Sequence, residues 1–345
     1  MITEAQNKST ETQSQEGLLQ RGLSLSKEPF LAEVEARLRK ALEGGFSAPM
    51  QEASVLLEAA RHLCLEGGGK RVRPRLVGMF GEALGASEEA LADIAVAGEL
   101  IHAASLLHDD VVDEGTMRRG RPTARSLWDN KVSVLSGDMV LSLAFLQIKR
   151  YPPMITERAV ELVASMSRAA MMEIVACGRP EMSVEAWWGI AMGKTGALFG
   201  WCGEAVALLM NQTDAVANLR DCGLHLGVAF QMADDLKDLR GDDPKDRFAD
   251  IRNRNPSFCL LTASERSPAF RQALSLAWFK ECLDEPQIQQ LGESVLALGI
   301  AEHTYQALCR EVDLAMAALG PYLHAPGGRD IAAWGEWLCK GLRQA

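Results

Sequence analysis

From Glu28 on, apolar positions recur at intervals of three and four, the period of one face of an α-helix. This pattern predicts helices over 28–44, 50–66, 75–85, 88–114, 124–150, 155–178, 184–210, 213–240, 268–280, 286–298, 300–319 and 328–343. No alternation of apolar and polar residues lasts long enough to predict a sheet. No solenoid-type repeat and no Pro/Gly linker divides the chain. Residues 1–27 are polar and rich in Gln, Ser, Thr and Glu, and read as a disordered tail. The expectation is an all-α protein: a tail over 1–27 and one helical domain over 28–345.

Composition supports this and narrows the partners. The 345 residues are 48% hydrophobic and 24% charged, enough to bury a large core. Aromatics are only 6%, while Ala, Leu, Met and Glu are plentiful, which favours helix. A net charge of -10 argues against nucleic acid as a partner but allows a local basic pocket. The N-terminal stretch has no apolar run like a secretion signal, and no run approaches the length of a membrane span. A cytoplasmic protein without a membrane span is expected. The eight cysteines form no CxxC and no zinc-like cluster, and read as reduced thiols in or beside the core.

The chemistry concentrates at three irregular, charged segments: EGGGKRVRPR (Glu66–Arg75), EGTMRRGRPT (Glu114–Thr123) and RGDDPKDRFADIRNRNPS (Arg240–Ser257). Just before the second, Asp109 and Asp113 end an apolar run. Their spacing puts both carboxylates on one helix face, ~5–6 Å apart. They repel each other there and oppose the helix dipole. Two readings fit: an exposed acidic helix end, or a magnesium site completed by water and phosphate. FQMADDLKDL repeats the pattern with Asp234, Asp235 and Asp238, again closing an apolar helix. Two facing carboxylate pairs would hold several Mg²⁺ ions around one diphosphate.

Lys70, Arg71 and Arg73 follow three glycines, which let backbone approach an anion closely. Arg118 and Arg119 suit phosphate oxygens in forked geometry. A solvated basic loop is the plain alternative for both runs. Lys194 and Thr195, in MGKTGALF, lie in a helical pattern of small residues, so the lysine points inward and needs a charge partner. The spacing and preceding strand of a nucleotide-binding loop are absent there. His102 shares a helix face with Asp109, as a packed core residue or as an anion ligand.

Taken in order, GGGKRVRP, HAASLLHDDVVDEGTMRRGRPT, GDMVLSLAF, GKTGALF and FQMADDLKD make the chain resemble the trans-isoprenyl diphosphate synthases, the polyprenyl synthetase family, from about Glu28 to the C-terminus. The resemblance implies a helical bundle around a deep central cavity, usually a homodimer. It implies an Mg²⁺-dependent prenyltransferase that condenses isopentenyl diphosphate with an allylic diphosphate. Lys70, Arg73, His102 and Arg119 would bind isopentenyl diphosphate, and Arg118, Lys194, Thr195 and Gln231 the allylic diphosphate. Two or three Mg²⁺ would rest on Asp109, Asp113 and Asp234, with Asp238 in support. The catalytic set is then Asp109, Asp113, Lys194 and Asp234.

After the second motif the family commonly reads GKPxGxDLxxGKxTLPL, whereas this chain reads PKDRFADIRNRNPSFCLL. Lys245 aligns with the first lysine and joins the allylic site, while Arg252 or Arg254 would replace the second cation. Lys237, inside the second motif, either pairs with Asp234 or Asp238 or, as the favoured reading, faces solvent. Two competing readings are a class I terpene cyclase and a weakly active subunit of a heteromeric synthase. The first lacks an NxxxSxxxE motif; the second rests on the altered loop.

Product length is partly legible. Short-chain members of the family tend to carry a bulky aromatic four or five residues before the first aspartate. Here Ala104 and Ser105 are small, which implies a product longer than C15. Ala104→Tyr or Ser105→Phe is expected to shorten the product. Unchanged length in both variants, read by chromatography of the reaction, would remove this account.

Overall fold

A computed structural model of the chain describes residues 28–44, 51–66, 69–241, 247–280 and 282–343. The tail expected over 1–27 lies outside the described residues. In chain order the elements are α1 (Glu28–Gly44), α2 (Gln51–Cys64), α3 (Val72–Leu84), α4 (Glu88–Val112), β1 (Met117–Arg118), β2 (Arg121–Pro122), α5 (Ala124–Leu127), α6 (Asn130–Ile148), α7 (Pro153–Ala176), α8 (Val184–Ala191), α9 (Ala197–Leu209), α10 (Thr213–Arg240), α11 (Ala249–Arg252), α12 (Phe258–Arg266), α13 (Pro268–Trp278), α14 (Glu285–Ala297), α15 (Ile300–Leu319) and α16 (Pro326–Arg343). A π-helical turn, Met192–Gly196, joins α8 to α9. The all-α expectation holds. Among the described residues the only sheet is the antiparallel ribbon of β1 and β2.

The departures from the predicted helices have local causes. The stretch 124–150 breaks before Asn130, where the Asp129 carboxylate accepts the Val132 N–H and caps a new helix. The stretch 184–210 is interrupted by the π turn. Helix α12 escaped prediction because Phe258 to Ser264 are all buried, so it shows no polar face. Helix α3 starts before the predicted 75. Pro74 falls in its first turn, where a missing N–H costs nothing.

The described residues group into two compact units. The first takes those of Met1–Val160, Cys202–Val216 and Pro321–Ala333. Its centre is α4, whose Leu91, Ile94, Leu100 and Leu107 are buried. Helix α6 lies close against it: a Cβ on Gly137 would fall 2.2 Å from His108 Nε2. The Ser133 hydroxyl donates to the Leu107 carbonyl at 2.9 Å. Buried Asp93 accepts from Arg37 at 2.9 Å, from the Tyr151 hydroxyl at 2.8 Å and from Arg150.

The second unit takes the described residues of Glu161–Trp201, Ala217–Gly320 and Trp334–Ala345. Val228, Met232 and Leu236 of α10 pack with Trp187, Phe258, Leu261, Leu308 and Val312. Gly196 and Gly200 on one side face Gly223 and Gly227 of α10 on the other. A Cβ on Gly227 would fall 2.6 Å from Gly196 Cα, and one on Gly223 2.3 Å from the Phe199 carbonyl oxygen. Backbone thus touches backbone.

Two helical stretches, Glu89–Val112 and Asn130–Ile148, are long and apolar enough by length and composition to cross a membrane, against the expectation that no run approaches that length. Of the first, 78% of the apolar window is buried, as in the core helix of a soluble protein; of the second, 44%. All eight cysteines are free. Six lie in or beside the core as expected, but Cys177 and Cys282 are exposed. Burial pushes the Cys64 and Cys202 thiols up to about 12.

Gly227→Ala is expected to cost about 3 kcal/mol, because the overpacked atoms are backbone. An unchanged urea midpoint would refute this. The Glu311 carboxylate, 2.9 Å from His225 Nδ1, raises the histidine pKa. That stabilisation is complete below the unfolded value of ~6.5 and is lost as pH rises through the folded value. His225→Gln should therefore destabilise more at pH ~5.5 than at ~8.5. Equal losses in urea melts at both would count against it.

Candidate active site

In the first unit, α4 ends at the first aspartate motif. Glu114 adopts a left-handed φ of 52° and turns the chain away. Asp109 is half-buried and Asp113 exposed. Asp110, for which the sequence offered no role, is buried. Its Oδ1 accepts from Arg118 Nε at 2.9 Å and Nη2 at 2.8 Å. Arg121 gains a role too: it donates to the Glu66 carbonyl at 2.7 Å and carboxylate at 2.9 Å. These two pairs tie the β1–β2 ribbon to the ends of α4 and α2. The ribbon turns at Arg119 (φ 51°) and Gly120 (φ 73°), which leaves Arg119 exposed.

His102 lies among arginines. Burial, then the charges of Arg73, Arg119, Arg118 and Arg71, hold its pKa well below the usual range, so the ring is neutral. Arg71 is fixed by Glu99 at 3.1 Å, by Glu35, and by the Cys64 carbonyl at 2.7 Å. Burial, then Arg118, lowers the pKa of Arg119. Gly69 allows the crowding: a Cβ there would meet Arg71 Nη1 at 2.9 Å and Arg119 Nη1 at 3.1 Å. The structure thus brings His102, Arg73, Arg118 and Arg119 together, with Lys70 exposed on the adjoining loop. Such a concentration of positive charge around a neutral donor suits an anion. Ala104 is buried, and the half-buried Ser105 donates its hydroxyl to the His102 carbonyl at 2.8 Å.

In the second unit, Lys194 projects from the π turn and pairs with Glu173 of α7, the charge partner its position required. Thr195 Oγ1 donates to Gln231 Oε1 at 3.2 Å, and Gln231 Nε2 to Asp235 Oδ1 at 3.3 Å. Asp235 is buried, and its Oδ2 accepts the Phe258 N–H at 2.8 Å where α12 begins. Burial, then Asp250, raises its pKa well above the carboxylate range. Glu173, Lys194, Gln231 and Asp235 line one cleft with Trp187, Ile190, Ala191, Asn255 and Pro256.

The remaining second-motif residues and the segment after them have protein partners of their own. Lys237 is exposed and also pairs with Asp234, one of the two outcomes open from the sequence: its Nζ is 3.0 Å from Asp234 Oδ1. Asp238 is engaged by backbone, accepting the Ala249 N–H at 2.7 Å and the Asp250 N–H at 3.2 Å. Arg252 pairs with Glu285 at 3.1 Å, and Arg254 donates to the Lys280 carbonyl at 2.5 Å. Both therefore have protein partners of their own. Lys245 lies outside the described residues. Sequence reasoning missed Asp110, Asp235 and Glu173. For the two aspartates the doubled DD was the available signal, since neighbours on a helix point about 100° apart and cannot share one face direction.

Among the described residues no three His, Cys, Asp or Glu side chains form a preassembled metal cage. That fits magnesium, which takes one or two carboxylates and fills its shell with water and phosphate. Asp113 and Asp234 are exposed and Asp109 is half-buried, so these carboxylates can be reached.

Helical architecture, two apolar helices ending in aspartates and an arginine-ringed histidine define an isoprenoid synthase. The family model described as polyprenyl synthetase matches residues 53–295, and the chain belongs to that family. Octaprenyl diphosphate synthase of Escherichia coli is 30% identical over 269 residues, 76% of this chain and 83% of that protein. The crystal structure of a decaprenyl diphosphate synthase from Rhodobacter capsulatus matches with a TM-score of 0.86 at 28% identity, covering 93% of this chain and 98% of that one. A polyprenyl synthase from Caulobacter crescentus, solved with calcium and isoprenyl diphosphate, matches at 0.82 and 26% identity over 92% and 97% of the two chains. The chain is a prenyltransferase resembling the medium- and long-chain members.

Asp110→Ala would leave Arg118 among other arginines without its carboxylate. The expected loss is about 2 kcal/mol, below the cost for a fully buried pair because the Arg118 side chain is 29% exposed. A double-mutant cycle with Arg118→Ala tests this; strict additivity would show that the two side chains are not coupled.

Proposed function

We propose that the chain condenses isopentenyl diphosphate with an allylic diphosphate to give a polyprenyl diphosphate longer than C15. The carrying observation is the neutral His102 ringed by Arg71, Arg73, Arg118 and Arg119, in a member of the polyprenyl synthetase family. Lys70, Arg73, His102 and Arg119 bind the isopentenyl diphosphate. Arg118, Lys194, Thr195, Gln231 and Lys245 take the allylic diphosphate. Asp109, Asp113 and Asp234 hold magnesium, two or three ions in all, with Asp238 in support. When bound, magnesium supplies electrostatic stabilisation to the diphosphate oxygens as negative charge grows on them.

The side chains do the rest. Arg118 and Lys194 stabilise charge on the departing pyrophosphate through charge-assisted hydrogen bonds. His102, held neutral, donates one N–H without adding charge. The apolar face of α4 keeps water from the allylic cation. The isopentenyl double bond attacks that cation, and the proton lost passes to pyrophosphate. Lys237 engages Oδ1 of Asp234, which leaves Oδ2 as the oxygen that would take a metal while the pair persists. Ala104 and Ser105 set little bulk in the path of the growing tail, and the octaprenyl and decaprenyl relatives agree with a long product.

A homodimer in the cytoplasm is the expected form. Val134, Leu135 and Leu146 of α6 are exposed and offer an apolar face to a second copy.

The test is to incubate pure protein with Mg²⁺, isopentenyl diphosphate and each of the C5, C10, C15 and C20 allylic diphosphates, then size the products. Elongation past C15 supports the proposal. Release of hydrocarbon or alcohol would indicate a cyclase, and silence a subunit that depends on a partner. Sedimentation velocity on the same sample should give twice the 37.5 kDa chain mass, and a lone monomer peak would refute the dimer.

A further inference from the structure

Lys194 is the cation among the described residues that line the second unit's cleft; Glu173 and Asp235 are its acids. The lysine is 28% exposed and Glu173 35%, and the two form a direct ion pair. Both ends of that pair are held by backbone. Lys194 rides on the π turn, an irregularity common at functional sites. That turn is wedged by glycine contacts: a Cβ on Gly193 would meet Ala169 Cβ at 2.8 Å, and one on Gly227 the Thr195 carbonyl oxygen at 2.9 Å. Glu173 stands in the last turn of α7. Just beyond it, Gly178 donates its N–H to the Arg254 carbonyl at 2.8 Å. The residue after Arg254, Asn255, lines the same cleft.

A diphosphate that reaches Lys194 meets a lysine already neutralised by Glu173. We propose that Glu173 is a positioning residue that acts through Lys194: its carboxylate is the resident anion that the allylic diphosphate displaces. Glu173 thereby sets how weakly the site holds simple diphosphates and keeps Lys194 in its binding rotamer while the site is empty. This rests on the assignment of Lys194 to the allylic diphosphate made above.

Two consequences follow from charge alone. Removing the carboxylate charge strengthens the lysine's grip on any diphosphate, by about tenfold if the loss is one charge-assisted contact. The substrate bound elsewhere, isopentenyl diphosphate, is unaffected. A merely structural salt bridge would instead lower stability and leave both Michaelis constants unmoved.

The test measures inorganic pyrophosphate binding by titration calorimetry, with steady-state kinetics alongside. The proteins are the wild type, Glu173→Gln, Glu173→Asp, Lys194→Gln and the double variant Glu173→Gln/Lys194→Gln. Glu173→Gln should bind pyrophosphate about tenfold tighter and lower KM for the allylic substrate, with KM for isopentenyl diphosphate unchanged. Glu173→Asp should return both toward wild type. In the Lys194→Gln background the substitution should have no effect. If Lys194→Gln weakens pyrophosphate binding while Glu173→Gln leaves it unchanged or weaker, the inference fails and the lysine assignment survives. If Lys194→Gln binds pyrophosphate as tightly as the wild type, the lysine assignment fails and the inference falls with it.

Discussion

Positive charge has to be concentrated before an anion arrives, and the first unit does this with two buried carboxylates on one helix. Glu99 and Asp110, 6% and 2% exposed, both belong to α4. Glu99 holds Arg71, and Asp110 holds Arg118. Four guanidiniums around a histidine would otherwise scatter into solvent, where their repulsion is screened. Burial first, and then the charges of these fixed arginines, depress the basicity of His102 and of Arg119. The arginine share of those shifts is positive potential that a diphosphate would relieve. The ribbon β1–β2 exists for the same reason: Asp110 and Glu66 hold Arg118 and Arg121 on it, and Arg119 is left at its turn.

The second unit reaches its geometry through absent side chains. Gly196, Gly200, Gly223 and Gly227 let the π turn and α9 lie backbone to backbone against α10. Helices at that distance cannot slide, because any shift drives a carbonyl into a Cα. Thr195 therefore meets Gln231, one turn beyond Gly227, and Gln231 meets Asp235 one turn later. Fixing the glycines fixes the polar row beside them, and packing and chemistry become one constraint.

Most helices were legible because each keeps one polar face. Where that failed, burial was the reason. Helix α12 has no polar side from Phe258 to Ser264, so its period vanished into an unbroken buried run. The π turn left no mark in the hydrophobic pattern, since Met192 to Gly196 continue it. Residues of the site were legible where chemistry showed as charge in the wrong place: Asp109 and Asp113 at a helix end, Lys194 among small residues. Their partners were not. Glu173 sits in an ordinary amphipathic helix, and only tertiary structure brings it to Lys194. Asp110 and Asp235 each stood beside a motif residue, and nothing in the sequence says which neighbour turns inward.

The altered segment after the second motif bears on whether that motif is intact or decayed. Decay would leave polar groups without partners, since nothing would select for their satisfaction. Among the described residues the Arg247 Nε is such an orphan, but the groups around Asp238 are paired. Asp238 takes the N–H groups of Ala249 and Asp250. The Asp250 carboxylate accepts from Asn255 at 2.9 Å, and the Asn255 N–H reaches the Asp250 carbonyl at 2.8 Å. Arg252 finds Glu285, and the Arg254 carbonyl receives Gly178. Burial, then Asp238, raises the Asp250 pKa to about 7, so two carboxyl groups share a space that only one charge fits comfortably. In the described part of the segment Asp238 is the acceptor that holds Ala249 and Asp250. Asp234 alone of the motif's outer pair remains outward, held by Lys237 rather than by backbone. The second motif is therefore asymmetric by construction. One carboxylate faces outward beside a lysine, and the other anchors the start of α11 through two backbone N–H groups.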